Sequence, residues 1–134
     1  MLFDAQQISE LNTYVDAAND PELLRWWAQY AESNARFREA LQYYERAGDH
    51  LAIVRVLCFH KKFDRAAEVV EASGDLGAAY HLAKQYEAKE DIKKAIEYYQ
   101  RAARFNHAIR LARQHDLASL PAVDLPQEPT GRIN

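Results

Sequence analysis

The amino-acid sequence predicts an all-α fold, a solenoid of stacked helix pairs with seven or eight helices, on three observations. Glycine and proline number only four each in 134 residues, too little turn punctuation for a β-sandwich or a doubly wound sheet. Apart from Pro21, the prolines fall at 121, 126 and 129, so everything from Asp20 to Asp116 is otherwise free of them. Finally, Ala40-Leu41-Gln42-Tyr43-Tyr44-Glu45-Arg46-Ala47 recurs as Ala95-Ile96-Glu97-Tyr98-Tyr99-Gln100-Arg101-Ala102, and a copy at Ala66 to Ser73 lies between them. The offsets are 26 and 29 residues, and self-similarity at that period marks a solenoid or an array.

The elements follow in order. Ile8, Leu11 and Val15 stand at helical spacing and predict an amphipathic helix near 4–18. Asp20 can cap the next helix, Pro21 suits its first position, and Glu22 complements the positive end of the dipole. The first pair then has helix A over 21–33 and helix B over 38–47. The second pair has 51–60 and 64–72, the third 77–88 and 91–103, and a helix over 106–115 opens a fourth. The units run about 21–49, 50–75 and 76–104, with a partial one over 105–118. Linkers of three residues, Asn34-Ala35-Arg36 and His60-Lys61-Lys62, force neighbouring helices to be antiparallel. Gly48 and Gly74 sit just past helix ends, where a left-handed cap costs glycine least. Residues 119–134 carry proline, glycine and polar residues without periodicity, and a disordered, Pro-rich tail is expected there.

The repeated positions have a packing logic. Ala40, Ala66 and Ala95 are small every time, so that helix B can approach helix A closely. One turn on come Tyr44, Val70 and Tyr99, which can reach the next pair, and then Ala47, Ser73 and Ala102, small again. On helix A, Trp27-Ala28, Ile53-Val54, Leu82-Ala83 and Leu111-Ala112 set a bulky residue before a mostly small one. Large and small side chains alternating in this way interdigitate at native density.

Composition excludes several classes of function. With 17 basic and 20 acidic residues the net charge is −3, which argues against nucleic acid as a partner. No stretch approaches the eighteen apolar residues of a membrane span, so no direct membrane insertion is expected. Met1-Leu2-Phe3-Asp4 has neither a basic nor an apolar leader region, and the lone Cys58 fits a reducing compartment.

Bulky-small on helix A, an aromatic three residues later at Tyr86, then Ala95, Tyr99 and Ala102 on helix B resemble the tetratricopeptide pattern. The fold class is therefore a tetratricopeptide-like α-α superhelix, with periods shorter than the usual 34. Leu24-Arg25-Trp26-Trp27-Ala28-Gln29-Tyr30, Gly48-Asp49-His50-Leu51, Ala79-Tyr80-His81-Leu82-Ala83 and Ala108-Ile109-Arg110-Leu111 narrow the match. Over about residues 1–118 the sequence resembles the intraflagellar transport protein 140 family, subunits of complex A of the ciliary trains. That family carries β-propellers ahead of a long solenoid, so the chain reads as a piece or truncated form of the solenoid. The resemblance implies a role in retrograde transport and in passage of membrane receptors into cilia. It also implies a place in the cilium or flagellum and at the basal body, on the cytoplasmic side, with other complex A subunits as partners.

Chemistry is sparse. Cys58-Phe59-His60 offers two ligands facing different ways, no second cysteine exists, and His-Glu-x-x-His is absent, so no metal or other cofactor is expected. His60 and Asp64 read as a local hydrogen bond. Gly74-Asp75-Leu76-Gly77 lacks the lysine of a phosphate loop and reads as a junction between repeats. Glu39, Glu45, Glu68, Glu71, Glu87 and Glu97 read as a solvated face with pairs such as Glu97–Arg101 and Glu90–Lys94. No nucleophile, base and orienting group converge, so no enzyme is expected.

Among the aromatics, Trp27, Tyr44, Tyr86 and Tyr99 fall on core positions. Trp26, Tyr43 and Tyr98 lie about 100° round the helix from them, free to face either a partner or the adjacent pair. As residue types common at interface hot spots, they are the candidate partner contacts. The expected function is a non-catalytic scaffold segment for complex assembly. The alternative is a generic tetratricopeptide-like adaptor gripping a short peptide in its concave groove, which Lys61, Lys62, Lys93 and Lys94 support poorly because they occupy turns and helix starts. Apolar stacking faces left open at the solenoid ends predict self-association.

Overall fold

The computed structural model describes residues 4–115 and, among them, eight α-helices and no strand. In order these are α1 (Ala5–Ala18), α2 (Pro21–Ser33), α3 (Phe37–Ala47), α4 (His50–Phe59), α5 (Phe63–Ser73), α6 (Leu76–Ala88), α7 (Ile92–Arg101) and α8 (Phe105–Gln114). The expected tail at 119–134 lies outside the described residues. The pairs α2/α3, α4/α5 and α6/α7 pack as antiparallel hairpins.

In the three complete pairs helix A begins the same way. Asp20, Asp49 and Asp75 accept hydrogen bonds from backbone amides of the first turns of α2, α4 and α6, and Asp4 does the same for α1 in a capping box with Gln7. The same three helices also end alike. The amides of Arg36, Lys62 and Asp91 reach back to the carbonyls of Ala31, Leu57 and Tyr86 at 2.8–2.9 Å, closing a Schellman turn. The residue in between, Ala35, Lys61 or Glu90, is left-handed with φ between +60° and +65°.

Helix A alternates in length, a rhythm the two offsets hinted at. α2 and α6 have 13 residues, α4 has 10 and α8 has 10. The spacing of 29 and 26 residues is therefore one long and one short unit, and the true repeat is a block of two pairs, 55 residues long. Moved on by 55, α2 falls on α6 and α4 on α8 at both ends.

In this register α1 is a helix B. Val15 corresponds to Val70, Asn19 to Gly74 (both left-handed), and Asp20 to Asp75 (both helix caps). The sequence reading gives α1 its bounds without its place in the repeat.

One apolar core runs the length of the stack. Ala40, Ala66 and Ala95 are fully buried. Trp27, Ala28, Tyr44, Val70, Leu82, Ala83, Tyr86, Tyr99 and Ala102 are buried with them, and Ala47 is half-buried against the same core.

Candidate protein-interaction site

A stack of identical pairs would present identical seams, and these seams are not identical. Between the first and second pairs, the helix A backbones, α2 and α4, stay more than 8 Å apart at every Cα. Polar side chains span the gap. Arg55 of α4 donates to both oxygens of Glu32 at 2.7 and 2.9 Å, and the Tyr44 hydroxyl donates to Glu32 Oε1 at 2.8 Å. The same bridge recurs 55 residues on, where Tyr99 donates to Glu87 at 2.7 Å and Arg110 reaches it at 3.4 Å.

The second and third pairs meet differently. The positions of Glu32, Tyr44 and Arg55 are taken by Cys58, Val70 and His81, and α4 packs directly on α6. Burial pushes the Cys58 thiol up to about 11, which leaves it protonated and unreactive, and burial lowers the His81 imidazole.

The B helices alternate in the opposite sense. At α1/α3 the Tyr43 hydroxyl donates to Asp16 at 2.6 Å, and Arg46 donates to the same oxygen at 2.8 Å while lying over the Tyr43 ring. At α5/α7 the Tyr98 hydroxyl donates to Glu71 at 3.2 Å, and Arg101 stands 4.0 Å from that carboxylate and over the Tyr98 ring. At α3/α5 the carboxylate is there, as Glu45, but its donors are replaced by Val69 and Ala72. No side-chain bridge crosses that seam among the described residues, and a groove opens.

These contacts fix the titration of the bridging groups. Arg55 holds Glu32 below the ordinary carboxylate range, helped by Tyr44 and opposed by burial. Tyr99 does the same for Glu87, with Arg110, and Tyr43 for Asp16, with Arg46. Burial and then the Glu32 hydrogen bond push Tyr44 up to about 12, and burial with the equivalent pairings raises Tyr43, Tyr98 and Tyr99. All four tyrosines are thus neutral hydrogen-bond donors at any physiological pH.

Two of the three candidate contact aromatics are corrected. Tyr43 and Tyr98 are 8% and 4% exposed, because Tyr43 lies beside Trp27 and Tyr98 stacks on Tyr86, each on helix A of its own pair, an arginine covers each ring, and each hydroxyl donates to the carboxylate of the neighbouring B helix. Trp26 is 42% exposed, stacked on Tyr30 with the ring planes 15° apart.

The solvated-face reading of the glutamates also changes. Glu39 accepts from the Trp27 indole at 2.8 Å, and Glu71 and Glu87 accept from tyrosines of other helices, so three of the six tie helices together. Glu97–Arg101 is a local pair at 3.5 Å, whereas Glu90 sits in the left-handed turn and has no helical partner at Lys94. His60 bonds the Val56 carbonyl at 3.0 Å and meets the Phe37 ring edge-on, rather than pairing with Asp64.

The cross-helix bridges are the feature the sequence reading missed. Their signal was the 55-residue offset applied to polar residues, which maps Glu32, Tyr44 and Arg55 onto Glu87, Tyr99 and Arg110.

Among the described residues no three His, Cys, Asp or Glu side chains are grouped to hold a metal ion, and no helix is long and apolar enough to cross a membrane. What the stack offers is surface, in the form of an exposed Trp26, an open α3/α5 groove and turns lined with lysines.

Over residues 1–128 the sequence matches the family model of the tetratricopeptide-repeat (TPR) domain of intraflagellar transport proteins 140 and 172. The match takes in 119–128, where the sequence reading saw no likeness because that stretch has no helical periodicity to read. Covering nearly the whole chain, it establishes that this protein belongs to that TPR-domain family, a helical-repeat family of intraflagellar transport whose domain type serves protein–protein interaction.

Proposed function

We propose that the chain is a non-catalytic scaffold segment of an intraflagellar transport complex A subunit, supporting complex assembly and retrograde ciliary transport on the cytoplasmic side of cilium and basal body. The observation that carries the reading is the family match over residues 1–128. It is supported by a stack whose larger polar networks hold helices together instead of converging on a reacting centre. Docking of neighbouring subunits uses the extended face of the stack, with Trp26 as one contact residue.

The test is co-precipitation of the chain with each complex A subunit. Association with at least one, weakened by Trp26→Ala, is expected. Failure to associate with any subunit overturns the reading.

Self-association through the open end of the stack belongs to the same proposal, since α1 exposes Tyr14 there. Light scattering should show a mass that rises with concentration, and a constant monomer mass counts against it.

A further inference from the structure

The α3/α5 groove is the one B-helix seam, among the described residues, whose closing residues are missing. The faces that α3 and α7 turn toward the preceding B helix carry Tyr43 with Arg46 and Tyr98 with Arg101, whereas α5 carries Val69 with Ala72 at those places. In all three seams the B-helix backbones stay more than 8 Å apart, so side chains alone decide whether the space is filled. Here it is not. A cleft of about 550 Å³ lies between α3 and α5, and one of about 250 Å³ adjoins it, sharing Leu41, Glu45, Leu57 and Arg65 in its lining. The floor is apolar, with Leu57 and Val56 contributed by α4 from below.

The rim has a charge pattern. Arg38, Lys62 and Arg65 stand at the turn end of the cleft, exposed, and none of them forms an ion pair among the described residues. At the other end Glu45, the counterpart of Asp16 and Glu71, accepts no side-chain hydrogen bond among the described residues. A surface with three uncompensated cations at one end of an apolar trough suits an apolar segment that carries carboxylates.

We propose that the α3/α5 groove is a docking site for an acidic amphipathic segment of a partner protein, its apolar residues on Leu41, Leu57 and Val69 and its carboxylates on Arg38, Lys62 and Arg65. The proposal rests on the reading of the chain as a protein-interaction segment. The site lies between B helices and over α4, a different place from a groove lined by helix A faces. It is also a consequence of the two-pair repeat, since the seam is open only where the tyrosine and arginine are absent.

The experiment uses the full 134-residue chain and two fluorescent probe peptides of equal length, about four helical turns each. One has a leucine-alanine face flanked by glutamates, and its twin has lysine at each glutamate. Anisotropy titration should show micromolar, salt-sensitive binding of the glutamate probe, at least about tenfold tighter than the lysine twin.

Two variants localise the binding. Val69→Tyr with Ala72→Arg rebuilds the missing bridge to Glu45, and should fill the groove and weaken the glutamate probe at least about tenfold without lowering Tm. Arg38→Glu with Arg65→Glu leaves the core untouched and should reverse the preference between probes. Equal affinity for both probes, absence of binding up to millimolar concentration, or binding unchanged in the filled variant overturns the proposal. A dimer that disappears in the filled variant overturns it too, in favour of a second copy as occupant. Co-precipitation with complex A subunits is read separately, so that probe binding unchanged in the filled variant sinks the groove alone, and failure to associate with any subunit sinks the scaffold reading.

Discussion

The seam between the first and second helix pairs and the seam between the second and third are built from the same hairpin, yet they are glued on opposite sides. In the first, polar side chains bridge the A helices across a gap and the B helices part over a groove. In the second, the A helices touch directly and a tyrosine-carboxylate-arginine bridge closes the B helices. Three substitutions separate the A-helix arrangements, with Glu32, Tyr44 and Arg55 becoming Cys58, Val70 and His81. The hairpin is thus a constant part, and a few side chains at its edges choose how it leans on its neighbour. Residues that space helices apart and bridge the space with charge-assisted hydrogen bonds take the place of uncharged residues that let the helices join by contact.

The comparison breaks most sharply if the two chemistries are exchanged by halves. Cys58→Glu puts a carboxylate at the buried Cys58 site with no arginine placed to meet it, and should cost about 3–5 kcal/mol. Thermal or urea unfolding measures it. Adding Val70→Tyr and His81→Arg supplies both donors at the equivalent positions, and the triple variant should regain about 1–3 kcal/mol over the single one. If the triple variant is no better than Cys58→Glu alone, the bridge is not a transferable unit and the comparison of seams fails.

Changes inside a hairpin should ignore the difference between seams. Ala40, Ala66 and Ala95 are each fully buried on helix B of their pairs. Tryptophan at any of the three overpacks the site and should cost about 1–3 kcal/mol, to a similar degree each time. A cost confined to one pair would mean that the hairpin is not the constant part. A melting temperature unchanged by Ala95→Trp would mean that this residue does not sit between helices.

How much of this could be read from the sequence follows from which residues carry it. The helix bounds came through within one or two residues because caps and turns are local, as with Asp20-Pro21 and Gly48. The buried alanines came through because a small residue recurring at one register marks the close approach of two helices. Tyr43 and Tyr98 did not, since a tyrosine beside the core stripe faces either solvent or a neighbouring helix, and only the position of that helix decides. The bridges were hidden for the same reason, because Glu32 and Arg55 lie on different helices and neighbour each other only after the stack has formed. The groove was hidden further still, being made by two absences, at Val69 and Ala72, which no motif marks.

Acid should act on the two kinds of seam in separate windows, on the directly packed one through His81 and, at lower pH, on the bridged ones through their carboxylates. Glu32, Glu87 and Asp16 are held below the usual carboxylate range by their tyrosine and arginine donors, so the native state releases protons that the unfolded chain still binds. Their contribution is present above the unfolded carboxylate range, near about pH 4–4.5, and is lost as pH falls through the lower native values. Stability measured from about pH 6 to pH 2 should therefore fall, and Glu32→Gln with Glu87→Gln should flatten the part below about pH 4.5. His81 acts in a separate window. Its lowered native value means the unfolded chain takes up a proton first, so stability should decline from about pH 6.5 downward and His81→Leu should remove that decline. An acid profile untouched by the glutamine pair would mean that the bridges add nothing to folding.

The smallest expected effect concerns the turns from helix B to the next helix A, where the two halves of the chain again differ by one side chain. Gly48 and Gly74 take the left-handed position with φ of +73° and +67°, whereas the last such turn places Ala103 there at +61°. A methyl in that conformation crowds the following carbonyl and costs on the order of 1–2 kcal/mol, partly offset for glycine by the larger entropy it loses on folding. Ala103→Gly should accordingly raise stability by less than about 1 kcal/mol, a small upward shift in Tm. The reverse changes, Gly48→Ala and Gly74→Ala, should lower it by a similar amount. At both glycines an added Cβ would meet nothing within 4 Å, so the loss would come from backbone conformation alone. If glycine is the more stable residue at 48 and 74 but not at 103, the last turn is not the structural equivalent of those two, and the 55-residue block does not extend through α7 into α8.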